Sequence, residues 1–114
     1  MDRSRYRYNH VGIPTRESRP QERYLSELKM YVYGYETNDF NIEWMRFDAD
    51  CPLPELVKTV PHVAFEVDDL DAALAGKEVI ITPNSPSPGL LVAFIRENDA
   101  PVELMQFSTP PPKP

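Results

Sequence analysis

Two histidines and two glutamates stand at matched places in this 114-residue chain, and they are its most chemically suggestive residues. His10 opens the stretch His10-Val11-Gly12-Ile13, and His62 opens His62-Val63-Ala64-Phe65. Glu43 lies within Ile42-Glu43-Trp44-Met45-Arg46-Phe47, and Glu103 within Val102-Glu103-Leu104-Met105-Gln106-Phe107. Imidazole and carboxylate together suit a divalent ion such as Zn²⁺, Ni²⁺, Co²⁺, Mn²⁺ or Fe²⁺. A carboxylate set among apolar side chains is costly unless it is paired, protonated or bound to metal. Taken singly, a strand histidine is usually a satisfied structural residue, and a glutamate on a final strand usually faces water. Repetition at matched places shifts that balance. It points to one metal site built from His10, Glu43, His62 and Glu103.

The matches define two copies of one unit. The histidines are offset by 52 residues and the glutamates by 60, so the second copy carries about eight more residues between its ends. In the first copy the pattern predicts strands over 7–13, 29–36 and 40–48, with Asn38-Asp39 as a turn. Ser18 and Gln21 resemble a capping box, which predicts a brief helix over 19–27. In the second copy strands are expected over 61–67, 78–82, 90–96 and 101–107. A short helix is expected in Leu70–Ala75, capped by Asp68 or Asp69 and ended by Gly76. Residues 84–89 and 97–100 connect strands, the latter as a tight hairpin. The order is β-α-β-β-β, and the shorter first copy is expected to lose or fuse a strand. The reading is an α+β fold in a single domain, 1–114. It comprises a first module over 6–48, a proline-punctuated linker over 49–60, a second module over 61–108 and a Pro-rich tail over 109–114.

Strand alternation assigns faces. His10 and Gly12 share one side of their strand while Val11 and Ile13 share the other. His62 and Ala64 likewise oppose Val63, Phe65 and Val67. Each histidine is followed, two residues on, by a small side chain that leaves space beside an imidazole. Glu43 shares its face with Met45 and Phe47, and Glu103 with Met105 and Phe107.

Composition narrows the partners. Hydrophobic residues make up 41% and charged residues 26%, as in a soluble globular chain, and 18 acidic against 12 basic residues give a formal charge of −6. Such a surface repels phosphate backbones and anionic lipid, so neither nucleic acid nor a membrane is expected as a partner. No apolar run approaches the roughly 20 residues of a membrane span, and the opening MDRSRYRYNH lacks the apolar stretch of a secretory leader. The lone Cys51 forms no internal disulfide and has no Cys-x-x-Cys context, so a cytoplasmic setting is expected. Tyr31, Tyr33 and Tyr35 share a face and suit either a pocket lining or packing. Arg46 points away from Glu43 and reads as structural, and Asp68, Asp69 and Asp71 read as helix-start residues.

On these residues the chain resembles the vicinal oxygen chelate superfamily, and within it the glyoxalase-I-like branch. The resemblance runs over 6–108 and is strongest in Asn9–Pro14, in Pro61–Leu74 and in Gly89–Phe107. It implies paired βαβββ modules whose mixed sheet curls around a metal-containing cleft. It implies ligands at a histidine on each first strand and a glutamate on each last strand, again His10, Glu43, His62 and Glu103. The first module departs by its shortness, with 33 residues from His10 to Glu43 against 41 from His62 to Glu103.

The activity implied is a divalent-metal-dependent isomerase or lyase. It would act on a small α-hydroxycarbonyl or related vicinal-oxygen substrate by proton abstraction through a metal-stabilised enediolate. Glu103, in preference to Glu43, would be the general base, with Glu43 in the partner role across the pseudo-twofold axis. Each histidine would need an acceptor behind it to fix its tautomer. Two alternatives differ in class. One is a non-catalytic, bleomycin-resistance-like binder of a small molecule, with Trp44 or the tyrosines stacking on it. The other is an Fe²⁺-dependent extradiol-type dioxygenase, in which one of the four ligand positions stands free of the metal. A homodimer is expected from the same resemblance.

Overall fold

The computed structural model describes residues 3–108, and the Pro-rich tail at 109–114 lies outside them. After a 3₁₀ turn at Arg3–Arg5 come β1 (Arg7–Pro14), β2 (Arg23–Leu25), β3 (Met30–Tyr33) and β4 (Ile42–Phe47). Then follow α1 (Glu55–Thr59), β5 (His62–Glu66), α2 (Leu70–Leu74), β6 (Glu78–Ser87), β7 (Leu90–Glu97) and β8 (Ala100–Phe107). All eight strands join one sheet in the order β2-β3-β4-β1-β5-β8-β7-β6. The order reads as two matching quartets meeting at the antiparallel β1–β5 pair, with β1–β4 and β5–β8 parallel inside each half. The α+β architecture expected from the repeat, with the mixed, curled sheet implied by the resemblance, is present. Among the described residues no helix is long and apolar enough to cross a membrane.

The halves differ on their backs. In the second, Leu70 and its neighbours Ala73 and Leu74 on α2 pack over Val67, Ala93, Ile95 and Leu104. Asp69 caps this helix by accepting from the Ala72 N–H, and Gly76 follows it at φ 75°. The first half has no such helix. The expectation for 19–27 fails, and so does the loss of a strand: all four strands form, and the helix is what the short copy gives up. Residues 19–27 offer only Tyr24 and Leu25 as large apolar groups, too few for a helical stripe. Their polar side chains cover the sheet instead. Arg19 lies over Tyr33 and Trp44, 5.6 and 5.4 Å from the ring centroids, and Glu22 receives two hydrogen bonds from Arg46 at 2.9 and 2.7 Å. Arg46 also stacks 4.0 Å from the Tyr31 ring centroid, on the face away from Glu43.

Two further differences lie outside the matched strands. The linker folds a turn of helix, α1, that buries Val57 against the sheet's centre. Strand β6 runs on to Ser87, past Pro83 and Pro86. As an edge strand with an irregular register it tolerates residues that cannot donate to a ladder. The tight hairpin forms as expected, with Asn98 and Asp99 at φ 48° and 66° between paired Glu97 and Ala100.

Candidate metal centre

Residues directly opposite one another in a sheet share a face, so the register places the four predicted groups. One row runs Glu43–Gly12–His62 across β4, β1 and β5. The adjacent row runs His10–Ala64–Glu103–Phe94 across β1, β5, β8 and β7. The rows exchange places under the pseudo-twofold between the halves, so all four groups sit on one face near the molecular centre. Met45 and Val32 extend this face on one side, and Val92 and Met105 on the other.

Three of the four converge. His10 Nε2 lies 3.2 Å and His62 Nε2 3.1 Å from Glu103 Oε1, and the two Nε2 atoms are 3.4 Å apart. The rings cross at 81°, and all three residues are at most 9% exposed. Candidate ligand atoms of this trio lie within 4.8 Å of one another. Glu43 stands outside that group. Its half-buried carboxylate has no hydrogen bond to a described residue, yet it feels the charges of His10, His62 and Glu103.

Electrostatics separates the two carboxylates. Burial raises Glu43 above the usual carboxylate range, the imidazoles opposing this and the negative charge of Glu103 reinforcing it. Burial is also the largest influence on Glu103 and pushes it up, but hydrogen bonds and charges from His10 and His62 together hold it below that range.

The small residues act across the repeat. A Cβ on Gly12 would fall 2.2 Å from His62 Cε1 and 2.6 Å from its Nδ1, so the imidazole of one copy lies in the space left by the glycine of the other. Ala64, fully buried, is the corresponding spacer between His10 and Glu103.

The surroundings of the two histidines are unequal. Where β1 meets β5 the register slips between Tyr8 and His10, leaving Asn9 as an extra residue in a β-bulge. Asn9 Oδ1 lies 2.7 Å from His10 Nδ1 and accepts from the Tyr35 hydroxyl at 2.9 Å, while Asn9 Nδ2 donates to Glu66 at 3.0 Å. An amide oxygen can only accept, so this network assigns a proton to His10 Nδ1. The matching position in the second copy is Pro61, which has no side-chain acceptor. His62 Nδ1 is accordingly a buried side-chain nitrogen without a hydrogen-bond partner among the described residues. The expectation of an acceptor behind each histidine holds for His10 alone.

The donor chemistry fits a divalent cation. A carboxylate oxygen and two imidazole nitrogens meet at one buried point, the mixed oxygen and nitrogen donor set that such ions take. Asn9, Glu66 and Phe94, whose ring meets His62 edge-on at 4.9 Å, belong to the site and were not anticipated. The residue pair Asn9-His10 was visible, but a bulge that brings adjacent side chains into contact leaves no mark in periodicity. Tyr31 and Tyr33 serve packing, and Tyr35 reaches the site edge. Cys51 is buried and free, Asp68 pairs with Arg7, and Asp69 is the helix cap.

No family model and no curated protein sequence matches the chain. Solved structures do. A hypothetical protein, BH1468, from Bacillus halodurans C-125 superposes with a TM-score of 0.66 at 14% identity, over 95% of this chain and 99% of that one. Methylmalonyl-CoA epimerase from Mycobacterium tuberculosis superposes with a TM-score of 0.58 at 20% identity, over 90% and 88% of the respective chains. At these identities the likeness is one of fold, and the chain has the fold of these two proteins across nearly its whole length.

Proposed function

We propose that this chain is a vicinal oxygen chelate protein of the glyoxalase-like kind, a divalent-metal-dependent isomerase or lyase. Its substrate would be a small α-hydroxycarbonyl or related vicinal-oxygen compound. The observation that carries this reading is the convergence of His10, His62 and Glu103 within 4.8 Å while Glu43 stands apart. The epimerase among the structural neighbours supports an isomerase chemistry on this fold. His10, His62 and Glu103 hold the ion, with Glu43 as the fourth candidate ligand. When bound, the cation supplies Lewis-acid stabilisation of negative charge developing on substrate oxygens, worth about several kcal/mol.

The chain's own groups divide the remaining work. Glu43 Oε takes the carbon-bound proton and can return it, because its carboxylate is unpartnered and its basicity is raised by burial. Glu103 is engaged by both imidazoles, which favours it as a ligand and reverses the preference drawn from sequence. Tyr35, edge-on to His10 at 5.4 Å and sensitive to the charge of Glu43, stands beside these groups. A cytoplasmic homodimer belongs to the same reading.

The test pairs Glu43→Gln with Glu103→Gln. Against a panel of α-hydroxycarbonyl compounds, Glu43→Gln is expected to lose about 10²–10⁴-fold in turnover while still binding metal. Glu103→Gln is expected to lose metal itself. Full turnover by Glu43→Gln refutes the assignment of the base. The two-histidine, one-carboxylate trio also matches the ligand set of an Fe²⁺ dioxygenase. Oxygen consumption with Fe²⁺, and none of the isomerase activity with Ni²⁺ or Zn²⁺, would establish that second reading.

A further inference from the structure

The opposite face of the sheet from the metal centre carries a cavity. Its volume is about 650 Å³, within the range of small-molecule sites. Register fixes its side: Phe65, Leu104, Val102 and Ile95 line it, and each neighbours in sequence a residue that points to the metal face. Its wall is thus the apolar back of the second half, beside the region that α2 covers. Arg3, Arg5 and Lys77 also line it, against the single carboxylate of Glu97. No described residue forms an ion pair with any of these three cations. In a chain of net charge −6, the rim of this hollow carries more cations than carboxylates, with Arg5 also bordering the adjoining hollow lined by Asp68 and Asp69.

We propose that this cavity binds a small amphipathic anion, a carboxylate or sulfonate carried on an aliphatic chain or aromatic ring. The apolar body lies against Phe65 and Leu104, and the anionic head meets Arg5 and Lys77. A second copy of this chain would have to bring an apolar and anionic patch to this rim, so it competes with the anion for the same contacts. The proposal is independent of the metal chemistry, since it uses neither the residues nor the face of that site.

Isothermal titration with decanoate, and with decan-1-ol as the uncharged match, tests it on the full chain. Decanoate is expected to bind about tenfold or more tightly than the alcohol, the added affinity coming from hydrogen bonds to charged groups. The double variant Arg5→Ala/Lys77→Ala is expected to erase that preference while keeping its thermal midpoint and its uptake of Co²⁺. Absence of decanoate binding overturns the proposal, as does equal binding of acid and alcohol, or an undiminished preference in the double variant. A dimer in sedimentation that is strengthened by the double substitution and blocks decanoate also overturns it, in favour of a second copy.

Discussion

Gly12 and His62 are direct cross-strand partners, and the imidazole occupies the space that a Cβ on Gly12 would need, 2.2 Å from Cε1. A side chain at residue 12 therefore displaces a proposed ligand. Gly12→Ala is expected to cost about 1–3 kcal/mol of stability by overpacking. It should also weaken Co²⁺ or Zn²⁺ binding by about tenfold or more. Chemical denaturation and competition with a chromophoric chelator read the two effects, and unchanged metal affinity would show that the cradle is dispensable.

Asn9 fixes the tautomer of His10 through the 2.7 Å contact to Nδ1. Asn9→Ala is expected to lower metal affinity about 10–100-fold, the usual effect of removing a partner behind a metal-binding histidine. Nitrogen chemical shifts of the two imidazoles, followed in the metal-free protein, should show His10 as the Nδ1–H form in the wild type and a mixture in the variant. An unaltered His10 tautomer would remove the basis of this assignment.

Metal itself should stabilise the fold, because the trio exists only when β1, β5 and β8 are assembled. At a free-ion concentration a hundred times the dissociation constant, the gain expected is about 2.7 kcal/mol. Calorimetry with Ni²⁺, Co²⁺ and Zn²⁺ should show a raised midpoint in the wild type and none in Glu103→Gln.

At the far edge of the sheet, Tyr24 donates a 2.7 Å hydrogen bond to Asp48, which, with burial adding, pushes its phenol up to about 12 from 10.0. The folded state holds the proton more tightly than the unfolded one. The stability from this contact is therefore complete below pH 10 and lost as pH rises from 10 towards 12. A phenolate absorbance titration should show Tyr24 titrating late, alongside Tyr35, whose phenol is also pushed up by burial. Tyr24→Phe should remove its own component only, and the variant should lose less stability than the wild type across that interval.

Much of the architecture was legible because a duplicated sequence announces itself. Matched His-Val-small and Glu-x-Met-x-Phe segments located β1, β5, β4 and β8, and strand alternation put the histidines with Gly12 and Ala64. Residues 19–27 were misread because a capping pattern is a local signal, whereas Arg19 and Glu22 are engaged by Trp44 and Arg46, more than twenty residues away. The length of β6 escaped notice because the tolerance of Pro83 and Pro86 depends on lying at a sheet edge.

By itself the sequence determined the inventory of the centre: two imidazoles, two carboxylates, their strands and the shared face. Only the tertiary structure decided how those groups divide. Cross-strand register is a relation between distant segments, and it alone put His62 over Gly12, brought Glu103 between two imidazoles and left Glu43 apart. The bulge at Asn9 supplied one histidine with an acceptor, while the backbone ring of Pro61 withheld one from the other.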